Sequence, residues 1–270
     1  MSEEKLSKKE YWDENLEKAE LPRVNTGADY HFKATMDYIH GPLTASGKKT
    51  FIEIGCGSSG WLPYFRRRYG FAVSGLDYSE IGCRLAEENM RLLGLPCEGI
   101  TCADVLKWTT GEKYCVIFSY GVIEHFSEPE KVVGICAGHL EEGGLLITLI
   151  PNLHGLPGFL SKTVAPETHQ MHKIITPEEL TAMHLAAGLE NVKTGYAGIF
   201  SLALIPWSRS RFFLLKEGTL RARISLGLIN RANSLVAGVL RLLPGPVSKL
   251  FSPYIIAVFR KPNKTFNPSA

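Results

Sequence analysis

Phe51-Ile52-Glu53-Ile54-Gly55-Cys56-Gly57-Ser58-Ser59-Gly60 is an apolar run that passes directly into a glycine-rich turn. A short apolar run closed by glycines reads as a buried strand, and residues 61–69 after it read as a helix. Glycine at 55 and 57 permits the positive φ of a tight turn and lets a ligand come close to the backbone. Strand, turn and helix in this order form the first unit of a parallel sheet, with a binding edge above the strand's carboxyl end.

The same alternation continues outward. Residues 72–76, 99–102, 115–119, 144–150, 192–196 and 254–259 read as further strands, and 80–93, 129–139 and 177–187 as helices. Gly94 and Pro96 stop the second of the helices, and Thr176 with Pro177 caps and opens the last. No internal repeat or low-complexity segment interrupts the series.

Read literally, the turn is G-x-G-x-x-G, and Asp77 stands 22 residues after Gly55 at the end of the second strand. That spacing also suits a nicotinamide dinucleotide, so the loop alone leaves two ligand classes open. Glu53 favours one of them. A carboxylate at the end of the first strand attracts a cationic group and repels a pyrophosphate. Asp104, in the turn after the third strand, can accept a hydrogen bond from an amino group such as that of adenine.

With Tyr11-Trp12-Asp13 ahead of the core and Gly121-Val122-Ile123-Glu124-His125-Phe126 after the fourth strand, these residues resemble the class I S-adenosylmethionine-dependent methyltransferases across residues 9–196. The resemblance implies a Rossmann-like α/β sheet flanked by helices and S-adenosyl-L-methionine as cofactor. It further implies cofactor contacts at Glu53, Gly55, Cys56, Gly57, Asp77, Tyr78, Asp104, Val105 and Tyr120. The glycine loop would face the methionine part, Asp77 the ribose and Asp104 the adenine. One departure is visible: the family's third glycine is Ser59 here, with Gly60 one position later.

Methyl transfer is an in-line displacement at a sulfonium, so the cofactor carries the reactivity and the protein aligns the acceptor. Where the acceptor is protonated a base is needed, and histidine is the default near neutral pH. His125, His154, His169 and His172 all follow the fourth or fifth strand and are expected above the strands' carboxyl ends. His125, His154 and His172 are the candidate catalytic residues, against the plain alternative of a hydrogen-bonded structural histidine. His169 and His172 have a spacing that also suits a metal, but no third ligand is evident and the sequence assigns none. The turn Ser119-Tyr120-Gly121-Val122 lacks the Asn-Pro-Pro-Tyr-like form associated with amide or base nitrogen. The remaining pattern resembles small-molecule methyltransferases that act on oxygen, so the resemblance makes oxygen the preferred acceptor atom, with nitrogen and carbon open.

With 270 residues, 45% of them apolar, the chain can bury a sizeable core. Its net charge of +3 is too small to argue for nucleic acid, but it is unevenly placed. Arg209, Arg211, Lys216, Arg221, Arg223, Arg231, Arg241 and Lys249 face only Glu217, a local charge of +7 within 199–249. In the same stretch Leu220, Ile224 and Leu228 recur at every fourth position, and 235–243 stays apolar, although Gly227 and Gly238 weaken the helical pattern. Fifty residues between the last two strands read as a helical insertion: a lid, a dimer contact or an element on an anionic membrane surface. Pro206-Trp207 beside Arg209 and Arg211 suits a headgroup layer. The six cysteines show no CxxC pair and read as reduced core thiols of a cytoplasmic protein. A charged N-terminus and the lack of an apolar run of ~18 residues argue against export and membrane spanning.

The expected division is an N-terminal helical cap over 1–40, a cofactor-binding core over 41–198, the insertion over 199–249, and a final strand and tail over 250–270. The expected function is methylation, at oxygen, of a small-molecule, glycan or lipid-linked acceptor. A nicotinamide-dependent oxidoreductase and a non-catalytic cofactor-binding scaffold remain the alternatives. No nucleic-acid partner is expected, and the insertion leaves a homodimer or a peripheral membrane contact open.

Overall fold

The computed structural model describes residues 5–26, 30–44, 49–201, 205, 227–229, 231–232, 235–236, 238–239, 242 and 247–263. Among the described residues, seven strands make one sheet in the order β3-β2-β1-β4-β5-β7-β6. These are β1 (Thr50–Ile54), β2 (Ala72–Asp77), β3 (Gly99–Cys102), β4 (Tyr114–Tyr120), β5 (Leu140–Pro151), β6 (Glu190–Ala197) and β7 (Tyr254–Arg260). The first five run parallel, and β7 lies antiparallel between β5 and β6.

The helices are α1 (Lys9–Leu16), α2 (Tyr30–Thr44), α3 (Trp61–Tyr69), α4 (Glu80–Leu92), α5 (Pro129–His139), α6 (Leu156–Val164), α7 (Pro166–Gln170) and α8 (Pro177–Ala186). Side chains alternate across the sheet with a period of two, so each strand feeds two cores. Phe51, Val73, Phe118 and Ile147 pack beneath α2, α3 and α4, while Ile52, Leu76, Ile117 and Leu146 pack beneath α5 and α8. The chain winds outward from β1 to β3, then returns to β4 on the other side. The carboxyl ends of β1 and β4 therefore part at a switch point, where sheets of this kind open a crevice.

Several sequence expectations meet a different outcome. β5 begins at Leu140 rather than 144, because Gly143, at φ 74°, lets the strand pass through a register shift instead of ending. His169 sits on the short helix α7, and His172 follows two residues after that helix. Helix α6 was not expected, although Pro157 in its first turn is a helix-opening signal. α2 runs past position 40 to Thr44, across the expected boundary of the N-terminal cap.

Within the insertion, positions 227–229, 231–232, 235–236 and 238–239 are helical, and Leu228, Leu235, Val239 and Leu242 are exposed. Pro206, Trp207, Arg209, Arg211, Lys216, Leu220, Arg221, Arg223, Ile224, Arg241 and Leu243, on which the stripe and headgroup readings rest, lie outside the described residues. No helix among the described residues is long and apolar enough to cross a membrane.

Candidate functional site

Above the carboxyl ends of β1, β2 and β4 lies a cavity of about 370 Å³. All nine residues expected to touch the cofactor, Glu53, Gly55, Cys56, Gly57, Asp77, Tyr78, Asp104, Val105 and Tyr120, line it. The glycines are there for steric reasons. Gly55 has φ 73° and Gly57 φ 40°, and a Cβ on Gly55 would stand 2.5 Å from Val122 Cγ2. Gly60, the displaced third glycine, is needed for another contact: a Cβ there would meet Asn25 Oδ1 at 2.6 Å and its backbone nitrogen at 2.8 Å.

Three carboxylates end or follow consecutive strands. The Gly57 amide donates to Asp77 Oδ2 at 2.8 Å and the Ser79 amide to Oδ1 at 2.9 Å. Each oxygen keeps a second lone pair, which can accept from a vicinal diol. Burial raises the Asp77 carboxyl above its usual value despite these amides. Glu53 is buried, accepts a hydrogen bond from Ser59 Oγ, and is pushed by burial up to about 8. A buried acid of this kind gains most from a cationic ligand, which restores its ionised form. The Tyr78 hydroxyl is buried with no hydrogen-bond partner among the described residues. These groups fit a ligand that brings a cation and hydroxyls. Asp104 differs from its expected state, because Lys5 Nζ holds its Oδ2 at 2.6 Å and also lies 4.3 Å above the Tyr78 ring.

The histidines divide. His125 lines the cavity, and its Nδ1 donates to the Met171 carbonyl at 2.7 Å, which leaves Nε2 as the acceptor nitrogen. Burial lowers it to about 3, so its ring stays neutral and cannot retain an abstracted proton near neutral pH. The His172 ring lies 4.4 Å from that of His125, and burial lowers its pKa as well. His154 is exposed and is not among the cavity's lining residues. Its backbone amide donates to Asn152 Oδ1 at 3.2 Å, in a turn that directs the chain away into α6.

Residues 5–26 contribute more of the site than the sequence indicated. Lys5, Ser7, Trp12, Leu16, Arg23 and Asn25 all line the cavity. The segment is fastened at several points. Leu6 donates its amide to the His125 carbonyl at 2.7 Å, and the Ser79 hydroxyl donates to Asp13. Buried Asn89 holds the Arg23 backbone through its amide nitrogen and its oxygen. Tyr11-Trp12-Asp13 was the only sequence signal for this part, and Trp12 indeed sets its ring edge-on to His125 at 4.9 Å.

A family model described as a methyltransferase domain matches residues 26–194 of the chain. The ubiquinone biosynthesis O-methyltransferase of Azoarcus sp. (strain BH72) is 29% identical over 192 residues, 67% of this chain and 78% of that protein. Among solved structures, the [4+2]-cyclase SpnF superposes with a TM-score of 0.57 at 19% identity, covering 89% of this chain and 86% of that one. A putative sarcosine dimethylglycine methyltransferase from Galdieria sulphuraria superposes with a TM-score of 0.59 at 15% identity, covering 87% and 88%. At these identities the structural likenesses establish the fold alone. The family match establishes the cofactor class, and it favours neither the nicotinamide alternative nor the non-catalytic one.

Proposed function

The chain belongs to the class I S-adenosylmethionine-dependent methyltransferases, and from that premise we propose that it methylates a hydroxyl oxygen of a small-molecule acceptor. The observation that carries the reading is the set Glu53, Asp77 and Asp104 on three successive strand ends around one cavity. Asp77 would take the ribose hydroxyls on its two remaining lone pairs. Glu53 and the Gly55 to Gly57 turn would hold the cationic methionine end, and Asp104, shared with Lys5, the adenine amine. The name of the Azoarcus relative supports oxygen as the acceptor atom.

When bound, the cofactor supplies an electrophilic methyl group on a positively charged sulfur. The chain's own residues then orient the acceptor and exclude water. Trp12, Leu16 and Trp61 give the cavity an apolar wall, and Tyr120, whose hydroxyl lies 2.9 Å from that of Tyr254, gives it a polar edge. His125 would accept the acceptor's hydroxyl hydrogen bond at Nε2 and align its oxygen, and the proton released as the methyl group is transferred would pass to solvent rather than stay on the ring. His172 would act through His125, and His154 is the weakest of the three candidates because it stands outside the cavity.

The insertion supports a finer reading of the acceptor. Exposed Leu228, Leu235, Val239 and Leu242, in a segment whose sequence carries a charge of +7, support a lipid-linked acceptor met at an anionic membrane surface; a homodimer through these residues is the second reading. The direct test gives the protein methyl-labelled S-adenosylmethionine and fractionated extracts, then identifies the labelled product by mass spectrometry. Label in an oxygen-bound methyl group is expected. Label on nitrogen or carbon would sink the oxygen reading, and failure to bind the cofactor by calorimetry would sink the assignment of the cavity.

A further inference from the structure

Beside the cavity, three side chains from two separate segments converge. Glu124 and His125 come from the turn after β4, and His172 from the segment after α7. One ligand-capable atom from each lies within 4.8 Å of the other two, and His125 Nε2 is 4.0 Å from Glu124 Oε1. We propose that Glu124, His125 and His172 form a site for a divalent transition-metal ion of the zinc class. This revises the reading from sequence, where His169 and His172 lacked a third ligand.

The first argument is the carboxylate. Glu124 is 1% exposed, and its Oε2 is buried with no hydrogen-bond partner among the described residues. A buried carboxyl oxygen without a partner is costly, and such atoms persist where something compensates them. The second argument is independent and concerns tautomers. His125 Nδ1 donates to the Met171 carbonyl at 2.7 Å, and His172 Nδ1 donates to the Thr168 carbonyl at 2.8 Å. Each ring is thereby oriented with Nε2 as its lone-pair nitrogen, the arrangement that backbone carbonyls impose on metal-binding imidazoles.

The two segments are also tied together. Lys173 donates its amide to the Glu124 carbonyl at 2.6 Å, immediately beside His172, and its Nζ is turned away to the Ser127 carbonyl at 2.9 Å. Two neutral imidazoles and one carboxylate suit zinc, whose ligands stand about 2.0 to 2.2 Å from the ion. Magnesium or calcium would ask for more oxygen ligands. The three atoms would close by roughly an ångström on binding, given those bond lengths.

A fourth position would open toward the cavity. His125 and Gly121 line it, and Glu124 Oε1 is only 3.7 Å from where a Cβ on Gly121 would stand. A cation there would take the place of His125 Nε2 as the partner of an acceptor hydroxyl and lower that hydroxyl's proton affinity. That consequence rests on the oxygen-methylation reading; the site itself does not.

The test titrates Zn²⁺ into chelator-treated full-length protein, using competition against a metal-binding dye, and records the visible spectrum with Co²⁺ in its place. One equivalent per chain and the intense visible bands of low-coordinate Co²⁺ are expected. Glu124→Gln and His172→Ala should each weaken binding by about a hundredfold or more, as losing a ligand should exceed the 10- to 100-fold loss of an outer-shell partner. His40→Ala, remote from the cluster, should bind normally. Glu124→Gln preserves shape, so a fold intact by circular dichroism with metal binding unchanged in both variants overturns the proposal, as does binding of much less than one equivalent. Stoichiometric zinc in a protein that methylates no hydroxyl would keep the site and defeat the oxygen reading. Hydroxyl methylation by a protein that binds no zinc would do the reverse.

Discussion

Asp77 holds two backbone amides and still presents acceptor capacity to the cavity, so its replacement separates binding from folding only in part. Asp77→Ala is expected to weaken S-adenosylmethionine binding roughly tenfold to a hundredfold, about 1.5 to 3 kcal/mol for the lost hydroxyl contacts. Calorimetry on a variant shown to be folded is the check, and unchanged affinity would remove Asp77 from the ribose site. Glu53 yields a second expectation through its proton. Its carboxyl, raised to about 8, is mostly protonated at pH 7 in the free protein. A cationic ligand that ionises it must release that proton. Titrations at pH 7 in two buffers of different ionisation enthalpy should therefore report proton release, lost in Glu53→Gln. The sign for stability follows from the same raised value. The folded state binds the proton more tightly than the unfolded one, so this group's contribution is full below the ordinary glutamate value and is lost as pH rises toward 8. The thermal midpoint of the cofactor-free protein should fall less between pH 5 and pH 8 in Glu53→Gln than in the parent. An identical slope in the two would remove Glu53 as the source.

The turn after β1 is the element on which the site depends, and its glycines make a sharp test. At Gly55, a side chain meets both a φ of 73° and the Val122 methyl 2.5 Å away. Gly55→Ala should cost at least the roughly 1 to 2 kcal/mol of a left-handed residue, seen as a lower thermal midpoint together with weaker cofactor binding. An unchanged midpoint would mean that the turn can relax around the methyl group. This element was legible from sequence because its signal is local: an apolar run, glycines and a helix start, all within twenty residues. The three acids were legible for the same reason, as each ends or follows a strand. The strap formed by residues 5–26 was not. Its contacts are to residues far along the chain, Lys5 to Asp104 and Arg23 to Asn89, and no local periodicity encodes them. The same limit applies to His172. Its spacing from His169 was visible, but its meeting with Glu124 and His125 depends on the Lys173 amide reaching the Glu124 carbonyl. His154 shows the opposite limit: it follows β5 at the expected edge of the sheet, yet it is exposed and does not line the cavity.

At the scale of the whole molecule, the sequence adds a basic, leucine-rich insertion to the cofactor crevice, and the proposed role of that insertion in delivering the acceptor can be tested. If the acceptor is lipid-linked, the exposed Leu228, Leu235, Val239 and Leu242 should enter the headgroup boundary while the surplus of basic residues meets anionic lipid. Each basic residue near such a surface contributes about 1 kcal/mol, attenuated as salt shortens the screening length to ~8 Å at physiological strength. Sedimentation with anionic vesicles should then carry the protein down, neutral vesicles should carry much less, and added salt should reverse the difference. A lid over a water-soluble acceptor makes the opposite forecast: vesicles matter little, while protease cuts the insertion in the free protein and is resisted once cofactor and acceptor are present. A dimer contact gives a third pattern, a sedimentation coefficient that rises with protein concentration and no response to vesicles. Equal binding to neutral and anionic vesicles would exclude the basic residues as the cause, and no vesicle binding at low salt would remove the membrane from the acceptor's route altogether.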